Sequence, residues 1–197
     1  MPFDVAAARC LATELLTAGS DPWLHAQATA RRAEEIALVV GPQDRDVLVC
    51  AAWLHDVGFV TRAVRTGFHS LDGAALLAGA GWPERVVALV AHHCEARVTA
   101  AALGLSEQLL AFPREEGPLT DALVCADLAA GTDGRRTSLR DRLDEIDRRH
   151  CDDPPLLREA WERRRLALVQ AAARTEQRMA GMHRHRARAA VQGAAAV

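Results

Sequence analysis

Half of the 197 residues are apolar, enough to bury the core of one ordinary domain. A formal net charge of −2 argues against nucleic acid as a bulk electrostatic partner. Every basic residue is arginine and tyrosine is absent, which removes lysine Schiff-base chemistry, a P-loop lysine and any tyrosyl acid or nucleophile.

Helical signals dominate the chain. Residues 4–18 read as an amphipathic helix ending at Gly19. Asp21-Pro22 reads as an N-cap with proline at the first helical position, opening a helix to about Val40, and Gly41-Pro42 stops it. A third helix is predicted from about Asp44 to Val57 and ends in the apolar run VLVCAAWLHDVGF, with Gly58 as its C-cap. GFVTRAVRTGFH (58–69) is a connector. Helices follow at about 70–79, 83–94, 96–103 and 119–130, with a loop-rich stretch at 104–118. Gly131–Gly134 is a tight turn, SLRDRLDEIDRRH a helix, and a last long helix begins near Pro155. No strand pattern and no repeat is present. The fold class is therefore all-α, one domain over residues 1–180, with a low-complexity tail at 181–197 in which His183 and His185 read as part of a solvated basic segment.

Five widely spaced cysteines, odd in number and without a CxxC, fit a reducing cytosol better than a disulfide framework. The N-terminal residues lack a signal-peptide pattern, and no uncharged segment reaches the length of a membrane span. A cytoplasmic protein is the expectation. The apolar positions of the last helix, among them Leu156, Trp161 and Leu168, would pack on the domain or on a second copy in a homodimer.

Chemistry concentrates at five places. His55-Asp56 closes an apolar helix, where an unpaired carboxylate is costly. His25 lies in the opening turn of the second helix. His69 opens a helix, His92-His93 end another, and Asp127 interrupts the apolar LTDALVCADLAAG. One metal site rich in imidazole and carboxylate accounts for all of them together, and such a donor set suits Fe, Mn, Ni, Co or Zn. Cys94 reads as a core residue.

The order His…His-Asp…Asp resembles the HD superfamily of metal-dependent phosphohydrolases. The resemblance covers roughly residues 20–135 and extends more loosely to small actinobacterial HD-domain proteins. It implies an HD-domain helical bundle in which His25, His55, Asp56 and Asp127 hold one metal ion. It further implies that His69 and His92 are the extra ligands of a binuclear site with Asp56 as bridge, and that His93 also coordinates. The HD-GYP branch is disfavoured: Phe59 follows Gly58 where that branch has lysine, and EARVTA follows the histidine pair in place of the GYP motif.

The activity this implies is hydrolysis of a phosphate ester of a nucleotide or other small molecule by a metal-activated hydroxide. Asp56 would fix the nucleophile, and His93, if not a ligand, would act as an acid or orient the substrate. Arg62 and Arg65, in the connector, are the candidate phosphate-gripping residues. The same ligand order also resembles HD-fold mixed-valence di-iron oxygenases, although the absent tyrosine removes a lid residue that some of those have. A non-catalytic ligand-binding module is a third class.

Overall fold

The computed structural model describes residues 3–194, with side chains as far as residue 185. Ten α-helices follow one another and no strand forms among the described residues. They are α1 (Val5–Leu16), α2 (Asp21–Ile36), α3 (Arg45–Leu54), α4 (His69–Gly79), α5 (Glu84–His92), α6 (Ala96–Leu103), α7 (Ser106–Leu110), α8 (Pro118–Leu128), α9 (Leu139–His150) and α10 (Pro155–Ala194). The all-α reading holds.

Helix α3 is the centre of the packing and touches α1, α2, α5 and α8. Each residue from Val47 to Leu54 is buried, which is why its sequence is apolar all round rather than striped. Fully burying one such valine or leucine contributes about 1.5–3 kcal/mol. Helix α8 is enclosed in the same way by α2, α3 and α10. Helix α10 lies along α8 and crosses α6, burying Trp161, Leu168, Ala171 and Ala172 and leaving Leu156 and Leu166 exposed. It continues past Gly181 to Ala194, so residues 181–194 of the segment read as a tail are helical, while 195–197 lie outside the described residues; His183 and His185 are exposed.

Local departures from the sequence reading have simple causes. Ser20 caps α2 in place of Asp21: Ser20 is extended, its hydroxyl accepts from the Trp23 N–H, and Asp21 is already helical. The loop-rich stretch 104–118 holds the one-turn α7, pinned by the buried Leu109. Gly58 does not cap α3, which ends at Leu54; it sits in a 3₁₀ turn, Val57–Phe59, against the start of α4. Residues 84–103 are apolar and long enough to cross a membrane by composition, yet half are buried here and the chain kinks within them. At that kink Cys94 and Glu95 both take left-handed backbone angles, φ 51° and 55°. Left-handed geometry costs a residue with a Cβ about 1–2 kcal/mol.

The dock of α10 on α8 rests partly on Asp121. Its carboxylate accepts from Arg174 Nε (2.9 Å) and Nη2 (2.5 Å) and from Arg178 Nη1 (2.8 Å). Burial pushes this carboxyl up, but the two guanidinium groups outweigh it and hold it below the usual range. Because the arginines are partly exposed, Asp121→Asn is expected to cost about 1–2 kcal/mol in urea denaturation, well short of a fully buried pair. A depressed carboxylate pKa stabilises above the unfolded value and loses that contribution as pH falls through the folded one. The gap between wild type and variant should therefore close in acid.

Candidate metal centre

Three histidines are aimed by the same device. His55, just past the end of α3, sets Nδ1 2.9 Å from the Ala52 carbonyl; His93, just past α5, sets Nδ1 2.6 Å from the Val90 carbonyl. His25, in the first turns of α2, sets Nδ1 3.4 Å from the Gly131 carbonyl. A carbonyl only accepts, so Nδ1 carries the proton and Nε2 presents a lone pair. The predicted Gly131–Gly134 turn thus has a task. It is closed by Gly134 N–H donating to Gly131 O (3.1 Å), and Gly134, at φ 76°, lies so close to Leu24 that a Cβ would crowd it.

These lone pairs converge. His25 and His55 bring their Nε2 atoms to 3.3 Å, and Asp127 Oδ1 stands 3.0 Å from the first and 3.9 Å from the second. Asp56 Oδ2 lies 3.7 Å from His25 Nε2 and 3.4 Å from His55 Nε2. The other oxygen of the same carboxylate, Oδ1, lies 3.7 Å from His69 Nε2 and 3.7 Å from His93 Nε2, which are 3.1 Å apart. Asp56 therefore stands between two donor groups, one toward α2 and α8, one toward α4 and α5. In each group two imidazole nitrogens face each other at a distance that only a shared cation or proton makes favourable. The residues fit metal ions on that ground, and the donors are the nitrogen and oxygen types that first-row divalent ions take.

The electrostatics agree. Burial pushes the Asp56 and Asp127 carboxyls up, yet the neighbouring histidines hold both well below the usual range. Burial opposes protonation of His55, but Asp56 and Asp127 push it up to about 9. His69 is driven down to about 3, first by burial and then by His93. Without metal the centre collects its positive charge on His55. A histidine pKa raised above its unfolded value stabilises fully below about 6.5, and the benefit is lost as pH rises through about 9. Metal-free protein is expected to lose thermal stability over that window. Bound divalent metal should abolish most of the loss, as differential scanning calorimetry with and without chelator would show.

The structure places the other predicted residues less uniformly. His92 is not brought into the cluster. Its Nε2 meets the Phe112 carbonyl at 2.9 Å, whereas His93, also read as a ligand, faces the cluster just before the kink at Cys94–Glu95. Arg62 pairs with Glu14 at 3.1 Å on the surface, and Arg65 is exposed; neither lines the cavity beside the centre. Thr66 donates to Asp72, whose buried carboxylate also accepts from the Thr66 and Gly67 N–H groups and so shapes the turn leading to His69. All five cysteines are free. Cys94, read as core, sets its thiol 2.6 Å from Asp127 Oδ2, the oxygen that faces away from His25. Burial and then the Asp127 charge hold that thiol protonated, well above its ordinary value.

The cavity has a volume of about 430 Å³, in the range of small-molecule sites. His25, Asp56, His69, His93 and Asp127 form one end. Much of the remainder comes from α9 and α10, which contribute Ile146, Leu157 and Trp161 together with Arg142, Arg149 and Arg164; Phe59, Phe68, Leu103 and Leu128 also line it. The sequence reading missed these arginines, because only the fold shows which of the many in α9 and α10 turn inward.

A family model described as HD domain matches residues 23–148. The chain belongs to the HD domain family. Members of that family are mostly metal-dependent hydrolases, and the His/Asp groups of this HD domain are of a kind that can hold divalent metal. No curated protein and no solved structure matches the chain. Helix α10 lies outside the matched residues, so part of the cavity wall comes from beyond the family match.

Proposed function

We propose that this HD-domain protein is a metal-dependent phosphohydrolase that cleaves a phosphate ester of a nucleotide or another small molecule. The observation that carries the reading is the Asp56 carboxylate, whose two oxygens face two separate pairs of histidines at the end of a cavity lined by arginines. When bound, two divalent ions would supply Lewis acidity and a water acidified toward neutral pH.

The chain's own groups set the rest. His25, His55 and Asp127 would hold one ion, His69 and His93 the other, with Asp56 common to both. His93 has Nδ1 on Val90 and Nε2 in the second group, so neither nitrogen is spare for acid catalysis, and the ligand role is assigned to it. Cys94 holds the outer oxygen of Asp127 and so orients it. The arginines that α9 and α10 bring to the cavity favour a phosphoryl anion. The partner in this reading is a small phosphorylated molecule, with no part for nucleic acid or membrane.

Elemental analysis of protein purified without added metal, joined to a panel of phosphate esters, tests this. Manganese, nickel, cobalt or zinc, with turnover that His55→Ala and Asp127→Ala abolish while folding persists, is the expected result. Two equivalents of iron with oxygen consumption would move the protein to the mixed-valence di-iron oxygenases. A metal-loaded protein that turns over no ester would be a ligand-binding module. Unchanged metal content in His25→Ala would break the first ligand group.

A further inference from the structure

Three arginines line the cavity, and two are already neutralised. Arg142 lies 2.9 Å from Glu145 and 3.6 Å from Asp127, and Arg149 lies 3.7 Å from Glu145. Arg164, on α10, has no carboxylate oxygen within 4.0 Å of its guanidinium among the described residues. It is nevertheless held firmly. Its Nε donates to the Cys94 carbonyl at 2.9 Å, its Nη1 donates to Thr99 Oγ1 at 3.0 Å, and its Cζ lies 5.7 Å from the centre of the Trp161 ring. Two edges of the planar group are thereby fixed, and Nη2 makes no hydrogen bond with any described residue.

Arg164 is half-buried, and a cation partly withdrawn from water with no carboxylate in direct contact is costly. Burial pulls this guanidinium below its ordinary value, only partly offset by the more distant Asp127 and Glu95 carboxylates, and the charge is felt at His69 within the centre. A fixed guanidinium with one free nitrogen, Nη2, in the cavity that holds Asp56, is a site prepared for an anion.

We propose that Arg164 anchors the phosphoryl group of the substrate through its free Nη2 edge, setting that group against the centre formed around Asp56. The choice of phosphate over another anion rests on the phosphohydrolase reading; the need for an anion does not. Because α10 lies outside the family match, this anchor belongs to the chain's own C-terminal helix.

Isothermal titration of inorganic phosphate into manganese-loaded protein tests it, with metal content and melting temperature measured for every variant. Arg164→Gln is expected to weaken phosphate binding 10- to 100-fold with metal content unchanged. Arg164→Lys should recover part of the affinity, because it keeps the charge but not the fork. On any ester the protein hydrolyses, Arg164→Gln should raise KM more than it lowers kcat. If Gln prevents folding, Arg164→Met, which keeps the aliphatic stem beside Trp161, is read in the same way. Wild-type phosphate affinity in these variants would overturn the anchor. Arg164-dependent phosphate binding without turnover of any ester upholds the anchor while the phosphohydrolase reading falls. An active esterase whose KM and phosphate affinity ignore Arg164 has the reverse meaning.

Discussion

Asp56→Asn is expected to strip both equivalents of metal and to lower phosphate-ester turnover by well over 100-fold. The physical reason is that among the described residues no other side chain faces both donor groups: Oδ2 stands toward His25 and His55, Oδ1 toward His69 and His93. Asparagine fills the same space but carries no charge and offers one oxygen, so it serves at most one group. Losses of roughly 10–100-fold are typical for residues that only orient a ligand, and a shared ligand should exceed them. Ligands of one group give a contrasting pattern. His69→Ala should lose one equivalent and keep the other, and Asp127→Asn should do the same from the opposite side. Metal content by mass spectrometry separates these outcomes, and two retained equivalents in Asp56→Asn would refute the bridge. The same substitution has a signature without metal. Asp56 is the main group lifting His55 above its ordinary pKa, so the fall in metal-free stability between pH 6.5 and 9 should shrink in the variant.

Legibility in the sequence followed the range of the interactions concerned. The runs that became α3 and α8 were readable because helices enclosed on every side must be apolar all round, and His55, Asp56 and Asp127 stood out as polar exceptions there. The Gly131–Gly134 turn was readable because its backbone geometry is local; that it would meet the ring of His25, 106 residues away, was not. Both His92 and His93 read as ligands, and that only His93 would face the cluster had no local signal. It goes with left-handed backbone at Cys94 and Glu95, neither of them glycine or asparagine, so no local sequence signal marks it. Arg62 and Arg65 lie near the doublet in sequence, but the connector carries them to the surface. Arg142 and Arg164 reach the centre from α9 and α10, at separations that periodicity does not encode.

Gly58 is the position where a single methyl group should do most damage. Glycine there permits contact rather than an unusual φ: a Cβ would fall inside the His69 carbonyl and 2.7 Å from the Gly73 nitrogen. Both are backbone atoms of the first turns of α4, so no side chain can swing aside. Gly73 answers from the other side, with its own Cβ position only 3.0 Å from the Gly58 nitrogen. This glycine-on-glycine approach sets how closely α4 lies on the turn that carries Asp56, and thereby the 3.7 Å separation of His69 Nε2 from Asp56 Oδ1. Gly58→Ala must push α4 outward. The expected cost is about 3 kcal/mol or more, at or beyond the upper end for overpacked cores. Loss should fall selectively on the His69–His93 group: one metal equivalent gone, the His25–His55 equivalent retained, and turnover lost with the pair. Gly79→Ala, in the last turn of the same helix with no atom within 4 Å of the new Cβ, is the control and should be neutral or stabilising by up to about 1 kcal/mol. Urea denaturation with metal analysis of both variants decides it: a Gly58→Ala protein as stable as wild type, with two equivalents bound, would show that this contact does not set the position of His69.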